Sequence, residues 1–299
     1  MSTTLEVRDL VKDFPIRGGL RRARLRAVDH VSFTIAPGRT VALVGESGSG
    51  KSTIARIIAR LDKPTGGKVL LHGPDGEPVP DRVYRDHVQM VFQDPFASLN
   101  PFHTVGHHIA RPLRLHQRSR GREQTARQVI DLLDRVTLPG PEMIRRRPHE
   151  LSGGQRQRVA IARALAPGAQ VIVADEPVSM LDVSIRLDIL RLLARLQREA
   201  NLAVLYITHD LATARHFSDD ILVLLKGRVV ERGPADDVIL NPRHPYTKLL
   251  AAASPDPLAR HRRDDFDPDA VTAAGATAAY DHFTGRWEGD PDAATREPS

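Results

Sequence analysis

The sequence predicts an α/β fold with a mixed sheet and helices, and three apolar runs are the main observations behind it. Residues 40–45 (TVALVG), 171–175 (VIVAD) and 203–208 (AVLYIT) are continuous apolar runs. Such runs are typical of parallel strands that are buried on both faces of a sheet. The first run leads into a glycine-rich turn and then a helix-forming segment, which is the start of an α/β unit.

Helices are predicted by the spacing of apolar residues between and after these strands. An apolar side chain recurs at i, i+3, i+4 and i+7 after the first run, at Ile54, Ile57, Ile58 and Leu61. This spacing predicts a helix with one buried face. A second amphipathic helix is predicted over about 184–199. Between about 95 and 165 the pattern is mostly helical, with proline and arginine breaks, so we expect an inserted α-helical subdomain.

Alternating patterns predict antiparallel strands in two parts of the chain, near the N-terminus and after the third apolar run. Residues 5–11 and 27–35 alternate apolar and polar side chains, as a half-buried strand does. They predict a small antiparallel β subdomain at the N-terminus. Residues 221–233 (ILVLLKGRVVERG) predict a hairpin that turns at Lys226 and Gly227.

Composition sets the domain boundaries and excludes several classes of protein. The chain has 299 residues, of which 41% are hydrophobic, enough for a full core. We predict a domain over 1–253 and a disordered acidic tail over 254–299, which is rich in Asp, Pro, Ala and Gly without periodicity. No apolar run approaches the roughly 20 residues of a membrane span, and the N-terminus lacks a basic-then-apolar signal. The absence of cysteine excludes disulfides and zinc-thiolate sites.

The net charge leaves several partners open. The formal charge is +6, while acids outnumber bases by about two to one in the tail, so the rest of the chain is more basic still. A basic surface could face nucleic acid, anionic lipid or phosphate ligands, or it could simply be a solvated arginine-rich surface. His107 and His108 show no metal-ligand spacing and are interpreted as surface residues.

A phosphate-binding loop is predicted where the first strand meets the first helix. GESGSGKS (45–52) matches G-x-x-x-x-G-K-[ST] between a buried strand and an amphipathic helix, the context that this motif requires. Its backbone N–H groups and the helix N-terminus would face phosphate oxygens. Lys51 would reach the β- and γ-phosphates, the Ser52 hydroxyl would ligate Mg²⁺, and Thr53 would reach the α-phosphate. The predicted nucleotide contacts here are Gly45, Glu46, Ser47, Gly48, Ser49, Gly50, Lys51, Ser52 and Thr53.

Two adjacent acids follow the second apolar run. Asp175 and Glu176 stand at the end of a predicted parallel strand, at the sheet edge where ligands bind in open α/β folds. Asp175 would hold Mg²⁺ through water, and Glu176 would point towards the attacking water of a hydrolysis reaction. The alternative is an ordinary charged strand exit.

The order of further motifs resembles that of the ATP-binding-cassette (ABC) ATPases. LSGGQRQR (151–158) is similar to the signature motif of that family and lies about twenty residues before Asp175. The other matching landmarks are Gln93 in VFQDP, SMLD at 179–182 and His209 in ITHD. The resemblance covers roughly residues 4–250, and it implies an ABC ATPase core of the P-loop type.

The resemblance implies that each ATP is shared between two cassettes. In that family two cassettes pair head-to-tail, and each signature motif contacts the γ-phosphate held by the other cassette. The residues that this implies here are Ser152, Gly153, Gly154 and Gln155, with Asp182 shaping the interface. Ser152 would cap the helix, and the glycines would expose N–H groups.

The resemblance also implies catalytic roles and an ATP-hydrolysing enzyme that uses ATP and Mg²⁺. Glu176 would polarise the lytic water, His209 would contact the γ-phosphate, and Gln93 would sense Mg²⁺ and water. Lys51 would act at the phosphates. Phe14 is the candidate for stacking on adenine, and core packing is its alternative role.

Two segments are similar to the di- and oligopeptide importer branch, which also handles nickel and some oligosaccharides. They are QDPFASLNP (93–101) and NPRHPYTKLLAAASP (241–255), which overlaps a predicted C-terminal importer-type segment at about 234–253. This resemblance implies a second, non-identical cassette, two transmembrane permease subunits and, indirectly, an extracellular solute-binding protein. It places the chain at the cytoplasmic face of the membrane, with no nucleic-acid partner. The alternatives are an export motor or an ABC ATPase acting on DNA or ribosomes.

Overall fold

The computed structural model describes residues 3–16, 23–253, 279–284 and 286–287. The strands are β1 Thr4–Ile16, β2 Ala23–Ile35, β3 Thr40–Val44, β4 Gly66–His72, β5 Val88–Val91, β6 Val171–Asp175, β7 Ala203–Thr208, β8 Asp220–Leu225, β9 Arg228–Pro234, β10 Tyr280–Asp281 and β11 Arg286–Trp287. The helices are α1 Lys51–Ile58, α2 Asp81–His87, α3 Pro95–Ser98, α4 Val105–Leu115, α5 Arg122–Arg135, α6 Gly140–Met143, α7 Gly153–Leu165, α8 Val183–Ala200, α9 Leu211–Phe217, α10 Ala235–Leu240 and α11 Pro245–Ala253.

The main sheet has the order β11-β10-β9-β8-β3-β7-β6-β5. Strands β5, β6, β7, β3 and β8 are parallel, and β9 pairs antiparallel with β8. The three apolar runs are therefore parallel strands, as predicted, and the structure shows that they are neighbours. Because parallel strands point the same way, the residues that follow β3, β5, β6 and β7 lie along one edge of the sheet.

Both faces of this sheet are buried, as the continuous apolar runs predict. Along β3, Ala42 and Val44 belong to the larger hydrophobic cluster, which includes helices α4, α5, α7 and α8. Val41 and Leu43 belong to the other cluster, which joins α1 to the N-terminal sheet. Successive side chains of a strand point to opposite faces, so β3 contributes to both layers of core.

The N-terminal sheet is antiparallel with the order β2-β1-β4. The predicted pair of strands is present, and β4 is an additional strand on the free edge of β1. Helix α1 is shorter than its apolar spacing predicts, because it ends at Ile58 and Leu61 lies beyond it. Leu61 is 50% exposed, so the expectation that it lines the buried face is wrong.

Five α-helices, α3 to α7, lie between residues 95 and 165, where the sequence pattern is mostly helical. His108 on α4 is buried, and its Nε2 lies 3.0 Å from the Asn100 carbonyl oxygen, whereas His107 is partly exposed. The interpretation of His108 as a surface residue is therefore wrong. Within the described ranges, none of the helices is long and apolar enough to cross a membrane.

Part of the acidic tail joins the main sheet. Strand β10 pairs in parallel with β9, and β11 pairs antiparallel with β10. Arg232 on β9 and Asp281 on β10 form an ion pair of 2.7 Å. The prediction that the whole tail is disordered is wrong for this strand pair, because β9 offers it an unpaired edge. The rest of that prediction falls on residues 254–278, 285 and 288–299, which lie outside the described residues.

Candidate nucleotide site

The predicted phosphate loop connects β3 to α1 in the structure. Gly48 and Gly50 have φ angles of 80° and 110°, a backbone region that side chains other than glycine rarely adopt. Close packing also requires glycine at two positions. A Cβ at Gly45 would lie 2.2 Å from the Leu224 carbonyl oxygen, and one at Gly50 would lie 2.3 Å from the Ala27 carbonyl oxygen. The loop therefore packs closely against β2 and β8, and at Gly45 and Gly50 there is no room for a side chain.

Lys51 is folded back into this loop. It is 5% exposed, and its Nζ donates hydrogen bonds of 2.6 and 2.7 Å to the carbonyl oxygens of Gly45 and Glu46. Burial lowers the pKa of Lys51, while the nearby charges of Glu176, Asp175 and Glu46 act in the opposite direction. The ammonium group is thus poorly hydrated and held by two neutral acceptors, an arrangement that favours its transfer to a charged phosphate oxygen.

Ser52 and Asp175 come together from α1 and β6. The Ser52 hydroxyl donates to Asp175 Oδ1 at 3.2 Å, although the two residues are 123 positions apart. Asp175 is 6% exposed, and burial raises the pKa of its carboxyl group, against the Ser52 hydrogen bond and the Lys51 charge. A hydroxyl and a buried carboxylate supply oxygen ligands of the kind that Mg²⁺ binds alongside phosphate oxygens and water. Ser52 and Asp175 therefore fit the predicted Mg²⁺ site.

Glu176, Gln93 and His209 meet at the same sheet edge. Gln93 Nε2 donates to Glu176 Oε2 at 3.2 Å, and His209 Nδ1 lies 3.3 Å from Glu176 Oε1. The three residues follow β5, β6 and β7, so the parallel order of these strands brings them together. Glu176 has a φ angle of 43°, which is uncommon for a residue with a side chain. Such backbone strain is frequent at functional sites.

The signature residues form the N-terminus of α7. Ser152 caps the helix by accepting from the Gln155 N–H at 3.3 Å, and its own N–H donates to Gln155 Oε1 at 3.0 Å. A Cβ at Gly153 would lie 3.2 Å from Leu181 Cδ2, and one at Gly154 would lie 2.7 Å from Ile185 Cγ2. These contacts are with Leu181, just before α8, and with Ile185 on α8, rather than with the phosphate loop.

Two other predicted contacts are accessible to a ligand or a partner. Asp182 is exposed at the N-cap position of α8, where its side chain makes no capping hydrogen bond. Phe14 on β1 is 37% exposed, and Lys12 Nζ lies 4.9 Å from the centre of its ring. Core packing does not account for an aromatic ring this exposed, and its stacking on adenine stays a prediction.

In the phosphate loop, Ser47 and Gly48 are exposed and Ser49 is buried, while Thr53 follows on α1.

Sequence reasoning missed one contact to the phosphate loop. The hydroxyl of Tyr246 accepts a hydrogen bond of 3.0 Å from the backbone N–H of Glu46. Tyr246 belongs to the segment HPYT, which the sequence singles out only by its similarity to importer subunits. Nothing in the spacing of residues 200 positions apart could have indicated this contact.

Comparison with known sequences decides the family. A sequence model of the family described as ABC transporter matches residues 28–179, just over half of the chain. This chain belongs to the ABC transporter ATPase family. A second model, described as the oligopeptide/dipeptide transporter C-terminal region, matches residues 230–278. The cassette core and the importer-type segment predicted from sequence are thus both matched by family models.

Relatives of this ABC ATPase include longer import proteins. It is 49% identical over 257 residues to the glutathione import ATP-binding protein GsiA of Escherichia coli K12, an alignment covering 84% of this chain and 41% of GsiA. It is 48% identical over 266 residues to GsiA of Salmonella typhimurium, covering 86% of this chain and 42% of that protein. The chain spans about two-fifths of the length of these curated relatives.

Solved ABC cassettes share the fold of this ATPase. The dimeric structure of MJ0796, a bacterial ABC transporter cassette, has a TM-score of 0.65 and 32% identity, covering 77% of this chain and 98% of that one. A post-hydrolysis dimer of MJ0796 bound to ADP and Pi has a TM-score of 0.64 and the same identity and coverage. For cbiO1 from Clostridium perfringens, part of the cbiONQ transporter complex, the TM-score is 0.66 at 26% identity, covering 79% of this chain and 90% of that one. The predicted ABC ATPase core is confirmed.

Proposed function

We propose that this ABC ATPase powers the import of di- or oligopeptides by hydrolysing ATP. The match of residues 230–278 to the oligopeptide/dipeptide transporter C-terminal region is the observation that carries this proposal. The relatives named as glutathione importers support it, because glutathione is itself a small peptide. Nickel or an oligosaccharide, the other solutes expected from the sequence, are alternatives for the same motor.

ATP binding begins in the phosphate loop. The backbone N–H groups between Gly45 and Thr53 and the N-terminus of α1 provide donors for phosphate oxygens. Lys51 exchanges its two carbonyl acceptors for the terminal phosphates, and the transfer is favourable because a charged acceptor binds the ammonium more strongly. Ser52, Asp175 and Gln93 would hold Mg²⁺, which would supply positive charge against the phosphates.

Glu176 prepares the attacking water. One of its carboxylate oxygens accepts from Gln93 and the other lies beside His209, at the edge where β5, β6 and β7 end. There we infer that the carboxylate accepts a hydrogen bond from water and orients that water towards the γ-phosphate. His209 is 62% exposed in its side chain, which lets it turn to the γ-phosphate. Phosphoryl transfer depends mainly on such positioning and charge stabilisation.

Two cassettes complete each site. The N-terminus of α7, with Ser152, Gly153 and Gly154, is a second anion-binding helix end, and its contacts within the chain are with α8 and α3 rather than with the phosphate loop. We infer that it binds the γ-phosphate held by a partner cassette, with Asp182 at the interface. ATP then joins the two cassettes, and hydrolysis separates them. We infer that the partner is a homologous, non-identical subunit.

Exposed aromatic residues suggest where the permease binds. Phe96 on α3 and Phe102 after it are 50% and 82% exposed, in the segment that follows Gln93. Permease subunits docked here would sense the state of the site through Gln93, whose amide touches Glu176. We infer from this docking that the cassette lies at the cytoplasmic face of the membrane, with two permease subunits and, on the other side, an extracellular solute-binding protein.

The importer role predicts that the tagged full-length chain sediments with membranes and co-purifies with permease subunits. Phe102→Asp should reduce the recovered permease at least about threefold, because it puts a charge into an apolar interface. Glu176→Gln, which leaves this surface intact, is the control. Recovery of the chain on DNA or ribosomes in a salt-sensitive manner, without permease, would contradict the importer role. Uptake of labelled di- and tripeptides, compared with Ni²⁺, then identifies the solute class.

The adenine-stacking role of Phe14 predicts weaker nucleotide binding when the ring is removed. Phe14→Ala should raise the ATP dissociation constant about 3- to 10-fold, since an aromatic contact contributes about 0.5–1.5 kcal/mol. Titration with a fluorescent ATP analogue measures the change. Phe102→Ala removes a more exposed ring elsewhere, 82% against 37% for Phe14, and should leave the constant unchanged. Equal affinities in all three proteins would exclude the stacking role.

A further inference from the structure

The peptide unit between Gly45 and Glu46 is held at both of its polar ends. Its carbonyl oxygen, on Gly45, accepts from Lys51 Nζ at 2.6 Å, and its N–H, on Glu46, donates to the Tyr246 hydroxyl at 3.0 Å. Because a peptide unit is planar, the tyrosine that fixes the N–H also fixes the direction of the carbonyl. Tyr246 therefore acts on the acceptor that holds Lys51.

Tyr246 is well suited to hold this peptide. It is 2% exposed, and burial raises the pKa of its phenol, so the hydroxyl keeps its proton at neutral pH. Its backbone N–H donates to His244 Nδ1 at 3.1 Å, which fixes the start of α11. The ring has little freedom, so a hydrogen bond from it costs little additional ordering.

The segment before α11 is itself anchored in the main sheet. Glu231 on β9 is fully buried, and its carboxylate accepts from the backbone N–H groups of Arg243 and His244 at 2.8 and 3.0 Å. His282, from the tail, places its Nε2 2.6 Å from Glu231 Oε1. A carboxylate with these three partners is a rigid attachment point for the loop that carries Tyr246.

We propose that Tyr246 is a positioning residue for the phosphate loop, and that the importer-type C-terminal segment braces the ATP site through it. The hydroxyl orients the Gly45–Glu46 peptide and so keeps this turn of the phosphate loop in one shape, which is retained when Lys51 leaves the Gly45 carbonyl oxygen for the phosphates. The region that the oligopeptide/dipeptide transporter model matches, 230–278, thus acts at the ATP site through Tyr246. This inference rests on the proposed ATP binding.

Two neighbouring substitutions separate this role from a general effect on packing. Tyr246→Phe removes only the hydroxyl that binds Glu46. Thr247→Val, the matched control, removes a hydroxyl that is equally buried on the same helix and has no hydrogen-bond partner among the described residues. Both variants keep the volume of the side chain nearly constant, so both should fold.

Amide hydrogen exchange and ATP binding are measured on the full-length chain. Tyr246→Phe should speed exchange at the Glu46 amide about 3- to 10-fold in the nucleotide-free protein, the factor expected for losing one hydrogen bond. It should also raise the ATP dissociation constant by about the same factor. Thr247→Val should match the wild type in both measurements.

The outcomes distinguish this inference from the proposed function. Unchanged exchange at Glu46 in Tyr246→Phe overturns the positioning role, and so does faster exchange with unchanged ATP affinity. Equal changes in Tyr246→Phe and Thr247→Val also overturn it, because they would point to packing. If the wild-type chain fails to bind ATP, the proposed function itself fails, whatever the exchange rates show.

Discussion

Glu176→Gln is expected to reduce ATP hydrolysis at least about 100-fold while ATP remains bound. The amide has nearly the size of the carboxylate, so the contacts with Gln93 and His209 can largely persist. It loses the negative charge and the proton-accepting oxygen that orient the attacking water. A positioned general base contributes about 10²–10⁴-fold to a rate, and this sets the expected loss.

Phosphate release at saturating ATP measures the effect, and size-exclusion chromatography with ATP shows whether paired cassettes accumulate. Glu199→Gln is the control, because that carboxylate lies on the exposed part of α8 and pairs only loosely with Arg195, at 3.8 Å. Its turnover should equal that of the wild type. Turnover within about twofold of the wild type in Glu176→Gln would remove Glu176 from the mechanism.

The parts of the site that sequence predicts are those that contiguous residues encode. The phosphate loop needs its glycines, Lys51 and Ser52 in one short stretch between a strand and a helix, so the motif contains its own structural context. Asp175 and Glu176 follow a buried strand, and parallel strands place such residues at one edge. The meeting of Glu176 with Gln93 and His209 depends on strand order as well, and the sequence did not predict β5 or its place beside β6.

The contacts that sequence could not predict join distant parts of the chain. The hydrogen bond between Tyr246 and Glu46 depends on where α11 packs relative to the phosphate loop. No local sequence pattern encodes that packing. The tail strand β10 was missed for a related reason: two residues pair with an existing edge, too few to produce an alternating pattern. The prediction for Leu61 fails in the opposite way, because the helical spacing of apolar residues continues past Ile58, where α1 ends.

Gly153→Asp is expected to abolish ATP-dependent pairing of cassettes while leaving ATP binding to the separate chain intact. Gly153 is the first residue of α7, and the nearest atom to a Cβ there is the end of the flexible Leu181 side chain, at 3.2 Å. An acid at a helix N-terminus is favourable for the helix, so the variant should fold. Its carboxylate would nevertheless occupy the place where a partner's γ-phosphate is expected.

Repulsion between the new carboxylate and a phosphate sets the size of this effect. Two like charges about 4 Å apart repel by about 4 kcal/mol near a protein surface, which corresponds to a loss of roughly 1,000-fold in pairing and hydrolysis. Gly153→Ala adds the Cβ without the charge and should lose far less. If Gly153→Asp weakens ATP binding to the separate chain as strongly as it weakens pairing, the signature contacts nucleotide within its own chain. The shared site would then be wrong, because its geometry requires Gly153 to act only on the ATP of the other cassette.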